Sequence, residues 1–244
     1  MSILGITLIL GIVAALANIF GGLIVTARPW SRAFLAYFIA LGSGFMLATA
    51  TLEMIPKSLQ LAPKTAPMFI LFGYFIVHFF EHSWPAHFHF GEETHHEAFL
   101  DASVVYPALV GLLVHTFFEG VAIASGFLVS DWLGWMVFGT AIVHNIPEGF
   151  TVASIMVAAR KNWQVGIWAA AALGGSRILG ILVMGSIHQF VEFGLPLAAG
   201  VTLYVAASDL IPEVNKMTGV KIPITVGLGV VMVLVLRMFI TQPF

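Results

Sequence analysis

The chain has 244 residues, of which 59% are hydrophobic and only 9% charged, with a mean hydropathy of +1.00 and a formal net charge of -2. A soluble domain carries about 25% charged residues, so water is excluded as the main solvent of this chain. The absence of cysteine excludes disulfides and thiolate metal sites, and the near-neutral charge gives no electrostatic footprint for nucleic acid.

A membrane-spanning helix needs roughly 20 apolar residues. In chain order the candidates are Ile3–Val25, Phe34–Ile55, Pro67–Phe80, Val104–Val129, Trp132–Ala158, Val165–Ile187, Phe193–Ile211 and Ile222–Ile240. The first has no preceding Lys or Arg, so it lacks the basic segment of a cleaved signal peptide and is expected to be a retained span. The third is short unless it extends into Glu81 and His82. The apolar runs are continuous and do not alternate, which argues for helices over barrel strands. The expected fold is an all-α membrane protein of eight transmembrane helices forming one domain over residues 1–244, with a His-rich loop at about 81–103.

Lys and Arg set the expected orientation. Arg28, Arg32, Arg160, Lys161, Lys216 and Lys221 fall on one side. Lys57, Lys64 and Arg237 fall on the other. The bias puts both termini outside and the His-rich loop in the cytoplasm, in a plasma or inner membrane.

Two internal repeats organise the chain. His115-Thr-Phe-Phe-Glu119-Gly120-Val-Ala-Ile-Ala124-Ser125 recurs 29 residues later as His144-Asn-Ile-Pro-Glu148-Gly149-Phe-Thr-Val-Ala153-Ser154. At a shift of 156 residues, Gly44, Leu47, Ala50, Ile55 and Pro56 match Gly200, Leu203, Ala206, Ile211 and Pro212, and Glu53 meets Asp209. The second repeat relates span two to span seven. An odd offset of spans makes the copies run in opposite directions. Inverted repeats are a signature of transporters that hold substrate near the midplane. The expected arrangement is two inverted three-helix repeats around the central pair of spans four and five (3+2+3).

Ionisable residues inside spans are costly and usually functional. Those found are His115 and Glu119 in span four, His144 and Glu148 in span five, His78 in span three and Arg177 in span six. Glu53 and Asp209 lie near the ends of spans two and seven. His115 and Glu119 are spaced i, i+4 and share a helix face, as do His144 and Glu148. The short connection between spans four and five makes them antiparallel neighbours, so the pairs face each other. Two imidazoles and two carboxylates suit Zn²⁺, and also Fe²⁺, Mn²⁺ or Co²⁺. Pro147 leaves the Val143 carbonyl without its helical donor, which is tolerable where backbone lines a cavity. In the loop, His82, His87, His89, His95 and His96 form a tract that would bind cations loosely.

At His144-Asn145-Ile146-Pro147-Glu148-Gly149 the chain resembles the ZIP (Zrt-, Irt-like) metal transporters. Eight spans, outside termini, a His-rich loop after span three and the Gly44, Met46, Leu47, Ile55, Pro56 pattern of span two fit the same resemblance. It implies a primary metal site of His115, Glu119, His144 and Glu148 with Met46 adding a thioether. It also implies Asn145 as a ligand of a neighbouring second site, and Glu53 and Asp209 as lining of the outer entrance. The chain departs from the pattern in span four, where Thr116 and Phe118 replace an Asn and a Pro, and in span six. There Arg177 stands where many members carry a Glu bridging two metals. A cation in place of that anion favours a mononuclear site, with Arg177 as a surrogate for the second ion.

The resulting expectation is uptake of divalent cations toward the cytoplasm, Zn²⁺ first, with Fe²⁺, Mn²⁺, Co²⁺ or Cd²⁺ as other candidates. No cofactor and no enzymatic activity are expected. The rival readings are an intramembrane metal-dependent hydrolase and a metal sensor that binds without transporting. A zinc protease would be expected to carry HExxH, which is not present. The partners expected are metal ions, the lipid bilayer and a second copy in a homodimer, with no nucleic acid. The orientation is directly testable because no native thiol interferes: a cysteine at Ser2 should react with an impermeant thiol reagent in intact cells, and one at Thr94 should be shielded. The reverse labelling pattern would invert the topology.

Overall fold

The computed structural model describes residues 2–27, 32–82, 102–158, 161–216 and 219–240. Within them every regular element is helical. In chain order these are α1 (Ile3–Ala27), α2 (Arg32–Thr49), α3 (Ile55–Leu61), α4 (Ala66–His82), α5 (Ala102–Val129), α6 (Asp131–Ala158), α7 (Trp163–Ser186), α8 (Val191–Tyr204), α9 (Ile211–Asn215) and α10 (Lys221–Ile240). Among the described residues, six stretches are long and apolar enough to cross a membrane: Ile3–Ile24, Ile39–Leu61, Leu109–Val129, Trp163–Ser186, His188–Leu210 and Lys221–Met238. The third expected span does take in Glu81 and His82, yet α4 remains short at 17 residues. Helix α6 is long enough at 28 residues and carries His144, Asn145 and Glu148 along its length.

Local chemistry sets the helix boundaries. Ser130, between α5 and α6, accepts from the Leu133 amide through its hydroxyl (3.2 Å), capping α6. Asn162 accepts from the Val165 amide at 2.9 Å and caps α7. These side chains satisfy amides that the first helical turn leaves without partners. Gly219, at φ 118°, takes a backbone conformation open to glycine just ahead of α10.

Spans two and seven differ from the uninterrupted helices expected. Each contains a π turn, Ala50–Met54 joining α2 to α3 and Val205–Leu210 joining α8 to α9. The Ile55 amide reaches back five residues to the Ala50 carbonyl, and the Ile211 amide to the Ala206 carbonyl. A proline follows each turn, Pro56 and Pro212, with no N–H to continue the regular ladder. A π turn inserts one residue into the helical register. It thereby buries Glu53 and Met54 in the first turn, and Asp209 and Leu210 in the second.

Helix packing falls into recurring pairs. Helix α5 lies along α7 and α1 along α6; α4 lies along α8 and α2 along α10. Each pair meets backbone to backbone through one glycine from either side. Gly120 faces the Arg177 carbonyl and Gly180 the Phe117 carbonyl. Gly149 faces that of Asn18, and Gly21 that of Ile146. Gly44 faces Val226 and Gly229 faces Leu41; Gly73 faces Leu197 and Gly200 faces Ile70. Small residues are what let membrane helices approach this closely, where packing rather than water exclusion holds them together.

The polarity runs inside out relative to a soluble bundle. Ile9, Ile12, Leu16 and Phe20 of α1, Phe72, Phe75 and Phe79 of α4, and Trp168 of α7 are exposed. Asn18, His115, Glu119, His144, Asn145, Glu148 and Arg177 are buried. Such apolar faces would drive association in water and are the natural surface toward lipid. The glycine crossings predict a sharp dependence on one atom. Gly149→Leu, whose Cβ would collide with the Asn18 carbonyl oxygen, should destabilise the protein by about 1–3 kcal/mol or more, read as earlier thermal unfolding in detergent. Gly227→Leu, where a Cβ meets open space, should leave the melting curve unchanged.

Candidate metal centre

The site grows from three long helices and one side chain of a fourth. Helix α5 supplies His115 and Glu119 one turn apart. Helix α6 supplies Thr140, His144, Asn145 and Glu148. Helix α7 supplies Arg177, which is completely buried, and α1 supplies Asn18. The close α5–α7 and α1–α6 crossings bring these side chains to one level. The carbonyls of Arg177 and Asn18 face Gly120 and Gly149, the residues that follow Glu119 and Glu148. Asn18 and Arg177 therefore hold matching stations on the two crossings.

One half of the cluster is a ligand group. His115, Glu119 and His144 each offer one ligand atom, all within 4.8 Å of one another, and all three residues are buried. His144 Nε2 lies 2.7 Å from Glu119 Oε1. Its Nδ1 lies 2.7 Å from the Thr140 carbonyl oxygen. A carbonyl only accepts, so Nδ1 carries a hydrogen, and Nε2 is the ring atom turned toward the group. Fixing the tautomer through the far nitrogen is how histidine ligands are oriented in metal sites. The His115 and His144 rings are 5.9 Å apart between centroids. A small cavity touches all three residues, with about 10 Å³ available to the centre of a water-sized particle; Met46, Thr49 and Met54 line it from the α2 side.

The other half is organised by Arg177. Its Nε donates to Glu119 Oε2, and its Nη2 pairs with the same oxygen. Nη1 donates to Asn18 Oδ1 at 2.6 Å. Nη2 also donates to Asn145 Oδ1 at 2.8 Å and lies 3.5 Å from Glu148 Oε2. Asn18 Nδ2 donates to Glu148 Oε2 at 2.8 Å, and Asn145 Nδ2 donates to the Ala14 carbonyl at 3.3 Å. Two carboxylates against one guanidinium leave one net negative charge with the histidines neutral, an arrangement suited to a cation.

The expected residues thus divide. His115, Glu119 and His144 come together, and Met46 lines their cavity. Glu148 and Asn145 lie in the same buried cluster but bond to the Arg177–Asn18 side rather than joining the compact ligand group. Glu119 belongs to both halves, with Oε1 toward His144 and Oε2 toward Arg177. Glu53 and Asp209 lie apart. Glu53 accepts from Trp132 Nε1 at 3.2 Å and lies 3.6 Å from Arg237 Nε, near the end of α10. Asp209 directly precedes α9, whose Val214 packs with Ile222 at the start of α10. The length of α10 separates the two acids, because a π turn late in α2 and a π turn late in α8 reach opposite ends of the bundle. His87, His89, His95 and His96 lie outside the described residues, and His82 is the last residue of α4.

The zinc transporter model of the ZIP family matches residues 101–237, more than half of the chain, from the start of α5 through all the site helices but α1. The chain belongs to the ZIP zinc transporter family. A comparison with curated proteins finds no match. Membership makes it a membrane protein of a family that transports divalent metal rather than one that hydrolyses substrates, with a possible metal site at His115, Glu119 and His144. The departures from the ZIP pattern have visible local roles. The Thr116 hydroxyl bonds back to the Leu112 and Leu113 carbonyls of its own helix. Phe118 packs against both main hydrophobic clusters. Arg177 fills the space among Glu119, Asn145 and Glu148.

Asn18 is the functional residue that sequence reading missed. The search followed ionisable groups, and Asn18 is a neutral carboxamide in the most apolar span. Two signals pointed to it: it is a polar group within a run of aliphatic residues, and Asn18-x-x-Gly21 parallels Arg177-x-x-Gly180.

Proposed function

We propose that this ZIP protein carries divalent d-block cations, Zn²⁺ first, toward the cytoplasm through a single-ion site on α5 and α6. The observation that carries the reading is the buried group of His115, Glu119 and His144, whose ligand atoms gather within 4.8 Å beside a cavity with room for one ion. Two imidazoles and a carboxylate are the ligand types that zinc and its first-row neighbours prefer, and Met46 adds a thioether from across the cavity. A space of this size suits an ion or one water and not a peptide segment, which favours carriage over hydrolysis.

Arg177 stands in for a second ion in this reading. Its guanidinium is permanently charged and bonds Glu119 and Asn145 while lying beside Glu148, the residues around a second position. It relieves repulsion between the carboxylates when no cargo is bound and lowers the negative charge offered to the cargo, which eases release.

The eight helices α1, α2, α4, α5, α6, α7, α8 and α10 then cross the membrane as 3+2+3. The packing supports this: exchanging α1 with α7, α2 with α8, α4 with α10 and α5 with α6 turns the pairs α5–α7 and α4–α8 into α6–α1 and α10–α2. The reciprocal glycines and twin π turns follow the same exchange. Alternating exposure of a midplane site is the mode of transport such repeats serve. With an inside-negative potential of 100 mV, roughly 4.6 kcal/mol favours inward movement of a divalent cation.

In proteoliposomes, wild-type protein should take up Zn²⁺ down an imposed potential. His144→Ala, correctly inserted, should lose uptake by about tenfold or more; wild-type flux in that variant would rule out the site. Arg177→Glu should bind two ions per chain by titration calorimetry, where the wild type binds one. One ion at unchanged affinity would remove Arg177 from the second-ion role.

A further inference from the structure

The ligand group accounts for one wall of the central cavity. The wall contributed by α2 and its π turn carries two methionines, Met46 and Met54, both fully buried. Met54 reaches the cavity because of the backbone irregularity. Eight residues along a regular α-helix turn a side chain by about 80° away from the starting face. The π turn Ala50–Met54 adds one residue to the register, which returns Met54 to within about 20° of the Met46 direction, as seven regular residues would. The matching positions on α8 and its π turn are Thr202 and Leu210, so the thioethers occupy one side of the site only.

The hydroxyls that line the cavity, those of Thr49, Thr140 and Thr202, are each hydrogen-bonded within the protein, Thr202 donating to the Ala198 carbonyl at 2.9 Å. The Thr140 hydroxyl lies 3.0 Å from that of Thr49 and 3.1 Å from the Met136 carbonyl. What faces the three ligand residues across the cavity is therefore sulfur as well as paired hydroxyls. A thioether is neutral and polarisable. It binds soft and borderline cations better than hard ones, whereas carboxylate, carbonyl and water suit Mg²⁺, Ca²⁺ and Mn²⁺.

We infer that Met54 is a selectivity residue, its thioether joining that of Met46 to bias the central site toward borderline and soft divalent cations such as Zn²⁺ and Cd²⁺ and against Mn²⁺. The inference rests on the transport reading of His115, Glu119 and His144 and adds a preference to it. Met54 shapes which ion is accepted, while the three-residue group holds any divalent ion. A methionine also costs no net charge in a buried site that already balances two carboxylates against Arg177.

The test is the ratio of Cd²⁺ to Mn²⁺ uptake into the same proteoliposomes, with wild type and Met54→Leu side by side. Leucine keeps the bulk and removes the sulfur. The ratio should fall about tenfold, the scale expected for losing one supporting partner of a metal site, with the thermal unfolding of the variant in detergent as the measure of intact protein. Should Met54→Leu lose uptake of both ions, the same ratio is read from equilibrium dialysis of Cd²⁺ and Mn²⁺ against purified Met54→Leu and Met54→Ile, and a fall is again required. An unchanged ratio in flux, or in dialysis where flux is lost, overturns the role of Met54 and leaves the transport reading intact. Absence of uptake by the wild type, or flux unaffected by His144→Ala, would instead defeat the transport reading.

Discussion

A fully buried guanidinium that must be satisfied on every side constrains the whole centre of this protein. Arg177 stays charged, and an unpaired charge at this depth would be prohibitively costly. It is met by Glu119 from α5, Asn145 and Glu148 from α6, and Asn18 from α1. Four helices are thereby tied to one planar group whose donors point in fixed directions. The geometry tolerates little slack, and the helices are brought to the required distance by glycines at the same level: Gly120 against the Arg177 carbonyl and Gly149 against that of Asn18. Backbone approach and charge satisfaction are the same structural event.

That arrangement divides the labour of the two glutamates. The His–Glu repeat makes them look equivalent, since each lies one turn beyond a histidine and one residue before a glycine. Arg177 and Asn18 break the equivalence. Glu119 keeps one oxygen toward His144 and gives the other to the guanidinium. Glu148 has its Oε2 held by Asn18 and lies beside Arg177. The compact ligand group is accordingly His115, Glu119 and His144, and Glu119 is the hinge between the part of the cluster that faces the cavity and the part that holds the helices.

The π turns show how a short irregularity serves a site two turns away. In a bilayer, regular helix satisfies backbone groups most simply, and departures from it are tolerated where protein surrounds them. Each π turn keeps Thr51 or Ala207 exposed on its outer side and places an acid in the interior, Glu53 beside Trp132 and Arg237 and Asp209 at the opposite end. The same inserted residue sets Met54 on the wall facing the metal centre. Their matching positions at opposite ends fit helices that run in opposite directions.

Much of this was legible in the sequence. Continuous apolar runs dictate helices and a membrane setting. The i, i+4 spacing of His115 with Glu119 and of His144 with Glu148 places each pair on one helix face, because helical periodicity is a local property. The motif around His144 pointed to the family. What the sequence could not decide was anything that depends on helix rotation or on the path of one helix past another. That Arg177 would take Glu119 on one side and Asn18 on the other follows from crossings 58 and 159 residues apart in the chain, which no local spacing encodes. The π turns escape a reading by regular period, since Pro56 and Pro212 mark an interruption without saying which residues it turns inward. Local spacing determined which residues could bind a metal; the tertiary crossings decided that Glu148 lies with the arginine, because a buried positive charge must be surrounded before anything else in the interior is arranged.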